Sequence, residues 1–284
     1  MLKLAGETTI HLCMEATGVY SQHLAIKLLE LSGLEVSIVN PARIKAYSEV
    51  LFRRSKTDMI DAEVIRCYAE SQKPATWQPA PKAKRQLYEL VAQMDSVQES
   101  LRQWRNRRHA QEYITDLPRT VSEVQRTIER TLEKQLVKLE RAIDQLCAEN
   151  AELAQQITIL TSIPGIARKS AVQVMAHGRE WLTERSAKAL TAYAGLASHH
   201  HESGTSVKAR PRLDKRGNKR LRKALYMPAL VATVHNPIIK KFYQRLCRRG
   251  KAKMLALVAC MRKLLLIMRS MLIKKNAFNP KFNA

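Results

Sequence analysis

An α/β segment followed by an all-α remainder is the fold class this sequence predicts, and three observations predict it. Residues 9–72 alternate short strand-like runs with helically spaced apolar residues. Residues 82–160 repeat apolar side chains at intervals of three and four over several heptads. Residues 161–284 keep helical periodicity, and the whole 284-residue chain holds only nine glycines and ten prolines. A chain of this length can bury a core in two modest domains or one large one.

The elements follow in order. "TIHLCME" is a short apolar run ending in Glu15, and "YSQHLAIKLLELSG" is helical sequence closed by Gly33. "EVSIVN" is rich in β-branched residues and stops at Asn40 and Pro41, after which helical spacing resumes to Gln72. Strand, helix, strand, helix implies a parallel sheet, whose chemistry usually sits at the carboxyl ends of its strands. Glu15 falls at such an end. "KPATWQPAP", residues 73–81, carries three prolines and reads as a linker.

Beyond it, Leu87, Leu90, Met94, Val97, Leu101 and Trp104 form one apolar row, and a break follows near Pro118. A second row takes in Leu132, Leu136, Leu139, Ile143, Leu146, Leu153, Ile157 and Leu160. Sustained over several heptads, this predicts a coiled coil over 82–160, with Asn150 as a register-fixing polar residue and self-association as the outcome. Two long helices packed inside one bundle are the competing reading. Residues 161–284 form the C-terminal region.

Charge narrows the partner. A formal net charge of +24 and a pI near 10.1 favour a polyanion, most simply nucleic acid. Residues 207–223 are the densest stretch, with nine Lys or Arg against one Asp. No run of about 18 apolar residues suggests a membrane span and no leader pattern opens the chain, so a cytoplasmic protein is expected. The five scattered cysteines contain no CxxC pair and read as reduced thiols.

Three motifs could carry chemistry. In "RRSKTDMIDAEVI", Ser55 or Thr57 can cap a helix on which Asp58 and Asp61 lie one turn apart, in a stripe with Val64, Ile65 and Tyr68. Spacing alone leaves two readings open. Acids in a first turn favour the helix dipole and need no other role. Together with Glu15, however, they supply the hard oxygen ligands of Mg²⁺ or Mn²⁺, with Arg53, Arg54 and Lys56 beside them for phosphates.

The second motif, "SIPGIA", resembles a helix-hairpin-helix turn, in which backbone N–H groups around Gly165 would meet a phosphate; a plain helix–helix turn is the alternative. The third is "ESGTS", where Ser203 and Ser206 flank Gly204 ahead of the basic run. A nucleophilic serine needs an exposed oxygen and cations on the phosphate, and this loop can offer both. Lys208, Arg210, Arg212, Lys215, Arg216, Lys219, Arg220 and Arg222 are the candidate backbone contacts. Consecutive His199, His200 and His201 point in different directions and suit one metal ion poorly.

In order along the chain, "CMEATGVY", "VNPARIKAY", "RRSKTDMIDAEVI", "IPGI", "AYAGLA", "ESGTS", "KRGNKRLRKALYMPAL" and "RGKAKMLALVACMRKLL" resemble the successive signatures of the DEDD transposases of bacterial insertion sequences, in the one-hundred-and-ten class, also called bridge recombinases. The resemblance implies an RNase H-like (RuvC-like) domain over residues 1–72 with four metal-binding acids, a coiled coil for assembly, and a C-terminal domain with a nucleophilic serine. It also implies DNA strand cleavage and rejoining guided by a structured RNA. Glu15, Asp58 and Asp61 match the second, third and fourth acids; Ser203 matches the serine, with Ser206 the alternative.

The first acid has no match, since the only acid before Glu15 is Glu7 and no Gly-Ile-Asp strand precedes it. The expectation is therefore an incomplete RuvC-like domain, shortened at the N-terminus and impaired in recombination. A non-catalytic nucleic-acid-binding transposase remnant is the alternative, and a metal-dependent junction resolvase without a serine step is a third reading.

Overall fold

In the computed structural model, which describes residues 10–51, 57–199, 202–203, 207–208, 212–213 and 217–280, the chain divides into two units, Met1–Pro79 and Ala80–Ala284. Side chains between 198 and 216 are outside the description.

The first unit holds β1 (Ile10–Glu15), α1 (Val19–Leu29), β2 (Leu34–Val39), α2 (Pro41–Val50) and α3 (Asp58–Gln72). Strands β1 and β2 pair in parallel, Ile10 opposite Leu34 through Glu15 opposite Val39, with α1 as the crossover. Asn40 caps α2 by accepting from the Ala42 N–H at 2.8 Å, and Pro41 suits the first helical position, where no N–H is needed. A small core of Val39, Ile44, Val64 and Tyr68 joins β2, α2 and α3, with Tyr47 edge-on to Tyr68 at 5.4 Å between ring centroids.

The Pro-rich stretch is less free than a linker. The Trp77 N–H donates to the Val36 carbonyl at 2.6 Å, so the stretch runs beside β2. The fully buried Ser37 hydroxyl lies 3.1 and 2.9 Å from the Pro74 and Ala75 carbonyls and 2.7 Å from His11 Nε2. Proline forbids helix, but its carbonyls still accept, and a buried hydroxyl requires a partner.

The second unit opens with α4 (Lys82–Gln111) and α5 (Arg119–Glu149), an antiparallel hairpin. Leu87, Met94 and Leu101 of the first predicted row are buried. Cross-helix polar contacts fix the pairing: Arg105 to Glu133 at 2.7 Å, Arg108 to Glu129 at 3.0 Å, and Gln125 Nε2 donating to the Trp104 carbonyl at 3.0 Å. The predicted continuous seam ends at Asn150. That residue is extended (φ −125°, ψ 99°) and caps α6 (Ala151–Thr161) by accepting from the Leu153 N–H at 2.9 Å. Asparagine bonds its local backbone readily, so here it breaks a helix where a seam position was expected.

Helices α6, α7 (Arg168–Gly178), a 3₁₀ turn Arg179–Leu182, α8 (Ala187–Tyr193), α9 (Lys219–His235), α10 (Pro237–Arg248) and α11 (Lys253–Lys274) complete the unit. Between α8 and α9 lie four two-residue strands, β3 (Ser198–His199), β4 (Glu202–Ser203), β5 (Val207–Lys208) and β6 (Arg212–Leu213). One contiguous core runs from Leu87 of α4 to Leu272 of α11, and includes Leu160, Ile163, Leu190, Leu221, Leu225, Leu264 and Leu265 at zero exposure. Each such side chain contributes about 1.5–3 kcal/mol by leaving water. No helix among the described residues is long and apolar enough to cross a membrane.

Candidate nucleic-acid processing site

Sequence places Glu15 last on β1, and strand alternation sets its direction. Cys13, two residues earlier, packs against the Val64–Tyr68 cluster, so Glu15 shares that side of β1, onto which α3 also packs. Thr57 caps α3 by accepting from the Ile60 N–H at 3.3 Å. Of the two capping candidates, Thr57 therefore does the capping; Ser55 lies outside the described residues. Asp58 and Asp61 occupy the first turn, Asp58 exposed and Asp61 half-buried, as Glu15 is. Among the described residues, none bonds to these three carboxylates.

The donor chemistry suits a hard divalent cation, because all three ligands are unpartnered carboxylates. The three are not gathered, however: no group of three or more His, Cys, Asp or Glu side chains is close enough to hold an ion among the described residues. The elements are apposed and the trio is not assembled. Arg53, Arg54 and Lys56 lie outside the described residues.

The serine segment is a hairpin. β3 pairs antiparallel with β6 (Ser198 opposite Leu213, His199 opposite Arg212), and β4 with β5 (Glu202 opposite Lys208, Ser203 opposite Val207). Ser203 opposite Val207 is the last register pair among the described residues of β4 and β5. Ser206, Arg210, Lys215 and Arg216 lie outside the described residues; for Ser203, Lys208 and Arg212 only the backbone is placed.

The hairpin rises from a tight neck. The Asn218 N–H donates to the Tyr193 carbonyl at 2.6 Å, and Arg222 donates to the Ala194 carbonyl at 3.2 Å. A Cβ on Gly217 would fall 2.2 Å from the Gly195 nitrogen and 2.5 Å from the Tyr193 oxygen, so only glycine fits there. Asn218 does three things at once. Its Oδ1 caps α9 by accepting from the Arg220 and Leu221 N–H groups, both at 3.0 Å. Its Nδ2 donates to Tyr193 Oη at 2.8 Å and to the His177 carbonyl at 3.2 Å. Burial pushes the Tyr193 phenol up, against the opposing pull of the Asn218 hydrogen bond, so it stays protonated as a donor.

Lys219 and Arg220 are exposed at the start of α9, while Arg222 is half-buried and holds the neck. Gly165 has a packing reason of its own. At φ +100° its missing Cβ would meet the Ala232 backbone nitrogen of α9 at 2.9 Å, so the turn between α6 and α7 lies against α9. Sequence reasoning did not find the neck, although a Gly-Asn pair before a basic helix is a capping signal.

Comparison with known proteins defines the class first. Residues 2–111 match a model of the DEDD transposases of the IS110 group, described simply as "Transposase", which implies an RNase H-like fold for the first unit. Residues 157–244 match the model described as "Transposase IS116/IS110/IS902 family". Over 282 residues the chain is 33% identical to the "Pilin gene-inverting protein" of Moraxella bovis and to that of Moraxella lacunata, spanning 97% of this chain and 84% of each relative. It is also 29% identical over 114 residues, 40% of the chain and 28% of the relative, to the "Insertion element IS110 uncharacterized 43.6 kDa protein" of Streptomyces coelicolor. The chain belongs to the IS110 family of transposases and is a DNA recombinase by family.

Proposed function

We propose that this chain cuts and rejoins DNA strands for a mobile element through a serine nucleophile, in the manner of a recombinase that excises, inserts or inverts a segment. The observation that carries the reading is the apposition of α3, with Asp58 and Asp61 in its capped first turn, and the side of β1 on which Glu15 lies. That is the strand-end and helix-start geometry from which an acid site for phosphoryl transfer is built.

In this reading Glu15, Asp58 and Asp61 hold Mg²⁺ or Mn²⁺, which when bound would polarise a phosphate oxygen and stabilise a leaving oxygen. The strand and helix that carry the acids pack on one another, and a bound ion with DNA would gather the side chains. Ser203, or Ser206 in the same motif, directs its oxygen at phosphorus. A Ser–O–P bond forms as the P–O bond to a sugar oxygen breaks, the hydroxyl proton ends on that leaving sugar oxygen, and the energy of the ester is kept for rejoining. Basic side chains of the run, with Arg53, Arg54 and Lys56, neutralise the backbone. A structured RNA from the element's ends selects the target, and the α4–α5 hairpin, whose Leu132, Leu136 and Leu139 stay half-buried, supports association of copies.

The testing experiment is excision at cognate element ends by the chain and by Asp61→Asn and Ser203→Ala. Metal-dependent excision that both substitutions abolish is expected. Salt-sensitive DNA binding with no excision by the unaltered chain overturns the reading and leaves a binding remnant.

A further inference from the structure

A cavity of about 590 Å³ opens beside the hairpin neck, and the acid and serine sites make no use of it. Lys219, Arg220, Arg222 and Lys223 of α9 supply cations to its lining, and Tyr226, Met227, Val258 and Met261 supply apolar surface. Its remaining lining comes from α4 and α7: Asp95, Gln98, Ser170, Gln173 and His177.

Two features mark it as built for a ligand. First, part of its polar lining has no protein partner among the described residues. Gln98, Ser170 and Gln173 are half-buried, and none bonds to another described residue. His177 is 1% exposed, with Nε2 2.9 Å from Asp95 Oδ2, while its buried Nδ1 has no partner among the described residues. Half-buried Gln98, Ser170 and Gln173 are three polar groups open to a ligand, and His177 Nδ1 is the one fully buried polar atom among them without a described partner. Second, the charge is one-sided: four cations face one carboxylate, which His177 already engages. Glu99, near Lys223, is bonded by Arg102 and Gln103.

We propose that this cavity holds one unpaired nucleotide of the DNA strand on which the serine hairpin acts. The phosphodiester lies toward Lys219, Arg220 and Lys223, the base face packs on Tyr226, Met227 and Val258, and the base edge bonds to Gln98 and Gln173. A volume of this size lies within the range of small-ligand sites, roughly 300–1,000 Å³, and is too small for a base-paired duplex. The inference rests on the reading of the chain as a DNA-processing protein. It adds that the strand is unstacked at the neck, one residue from Asn218 and at the root of the hairpin that bears Ser203.

The test measures binding of a short fluorescent single-stranded DNA to the full chain, against the same sequence as duplex DNA and as RNA. Variants are Lys223→Glu and Gln173→Glu, with Lys240→Glu on α10 as a control that matches the charge change of the first and exceeds that of the second, and thermal melting to check folding. Preference for single-stranded DNA is expected, with each cavity variant weakening it about tenfold more than the control and duplex binding falling no further than in the control. Cavity variants that match the control, or preference for RNA, overturn the nucleotide site while the recombinase reading stands. An unaltered chain that binds no DNA overturns both.

Discussion

Gly217→Ala is the perturbation that most sharply probes the neck under the serine hairpin. The new methyl would meet the Gly195 nitrogen at 2.2 Å, the Tyr193 oxygen at 2.5 Å and the Gly195 Cα at 2.6 Å. All three are backbone atoms, which cannot swing aside as the end of a side chain can. Overpacking of this kind typically costs 1–3 kcal/mol. If the neck opens to relieve it, the Asn218 to Tyr193 hydrogen bond at 2.6 Å is lost as well, at about 1 kcal/mol. The expected loss is therefore about 2–4 kcal/mol. Denaturant melts of the full chain read that cost, and a covalent DNA-adduct assay reads the placement of Ser203. Gly250→Ala is the comparison: its φ is +73° but nothing lies within 4 Å of the added methyl. That substitution should lose only about 1 kcal/mol through backbone strain and keep full adduct yield. Equal stability and adduct yield in the two variants would refute the closed neck.

Four further outcomes are expected. Asn218→Ala removes the α9 cap and both Nδ2 contacts, and should cost about 2 kcal/mol or more in the same melts. Ser37→Ala frees the stretch around Pro74 and Ala75 from β2 and should speed proteolytic cleavage between residues 73 and 81, with little change in melts of the second unit. The Arg102 guanidinium holds the Glu99 carboxyl down at about 2. Its folded pKa lies below the unfolded value, so the stability it adds is present above about pH 4.3 and is lost as pH falls toward 2; Glu99→Gln should flatten the stability profile in that window alone. Burial pushes the Cys260 thiol up to about 11, so at neutral pH it should resist iodoacetamide until the chain is unfolded, as followed by peptide mass.

Local chemistry in the sequence carried the first unit well. β-branched "SIV" ahead of Asn40-Pro41, and Thr57 ahead of two aspartates, are signals that act within a few residues, and strand and helix form where they point. Asn150 shows where that reasoning stops. Its spacing fits a seam, but the choice between seam and cap depends on whether α6 turns into the C-terminal core, a long-range packing outcome. The Pro-rich stretch is similar, since the demand of buried Ser37 for a partner is invisible from either segment alone.

At the site, residue types were legible and their assembly was not. Glu15, Asp58 and Asp61 are recognisable as hard ligands, yet how far apart a strand end and a helix start sit is set by packing. The Asp95–His177 pair joins residues 82 positions apart, and no spacing rule brings them together. Ser203 was selected by its loop chemistry and family signature; its pairing with Val207 came only from the backbone.

The proposed chemistry requires Ser203 to become covalently joined to DNA in a reaction that needs the carboxylates. The most direct measurement incubates the chain with cognate element-end DNA, the RNA transcribed from those ends and Mg²⁺, then denatures, digests and identifies by mass the peptide that carries nucleotide. An adduct on Ser203 is expected, absent in Asp61→Asn and absent without the metal. An adduct on a residue outside 203–206, or rejoined DNA with no adduct at any time, would contradict it.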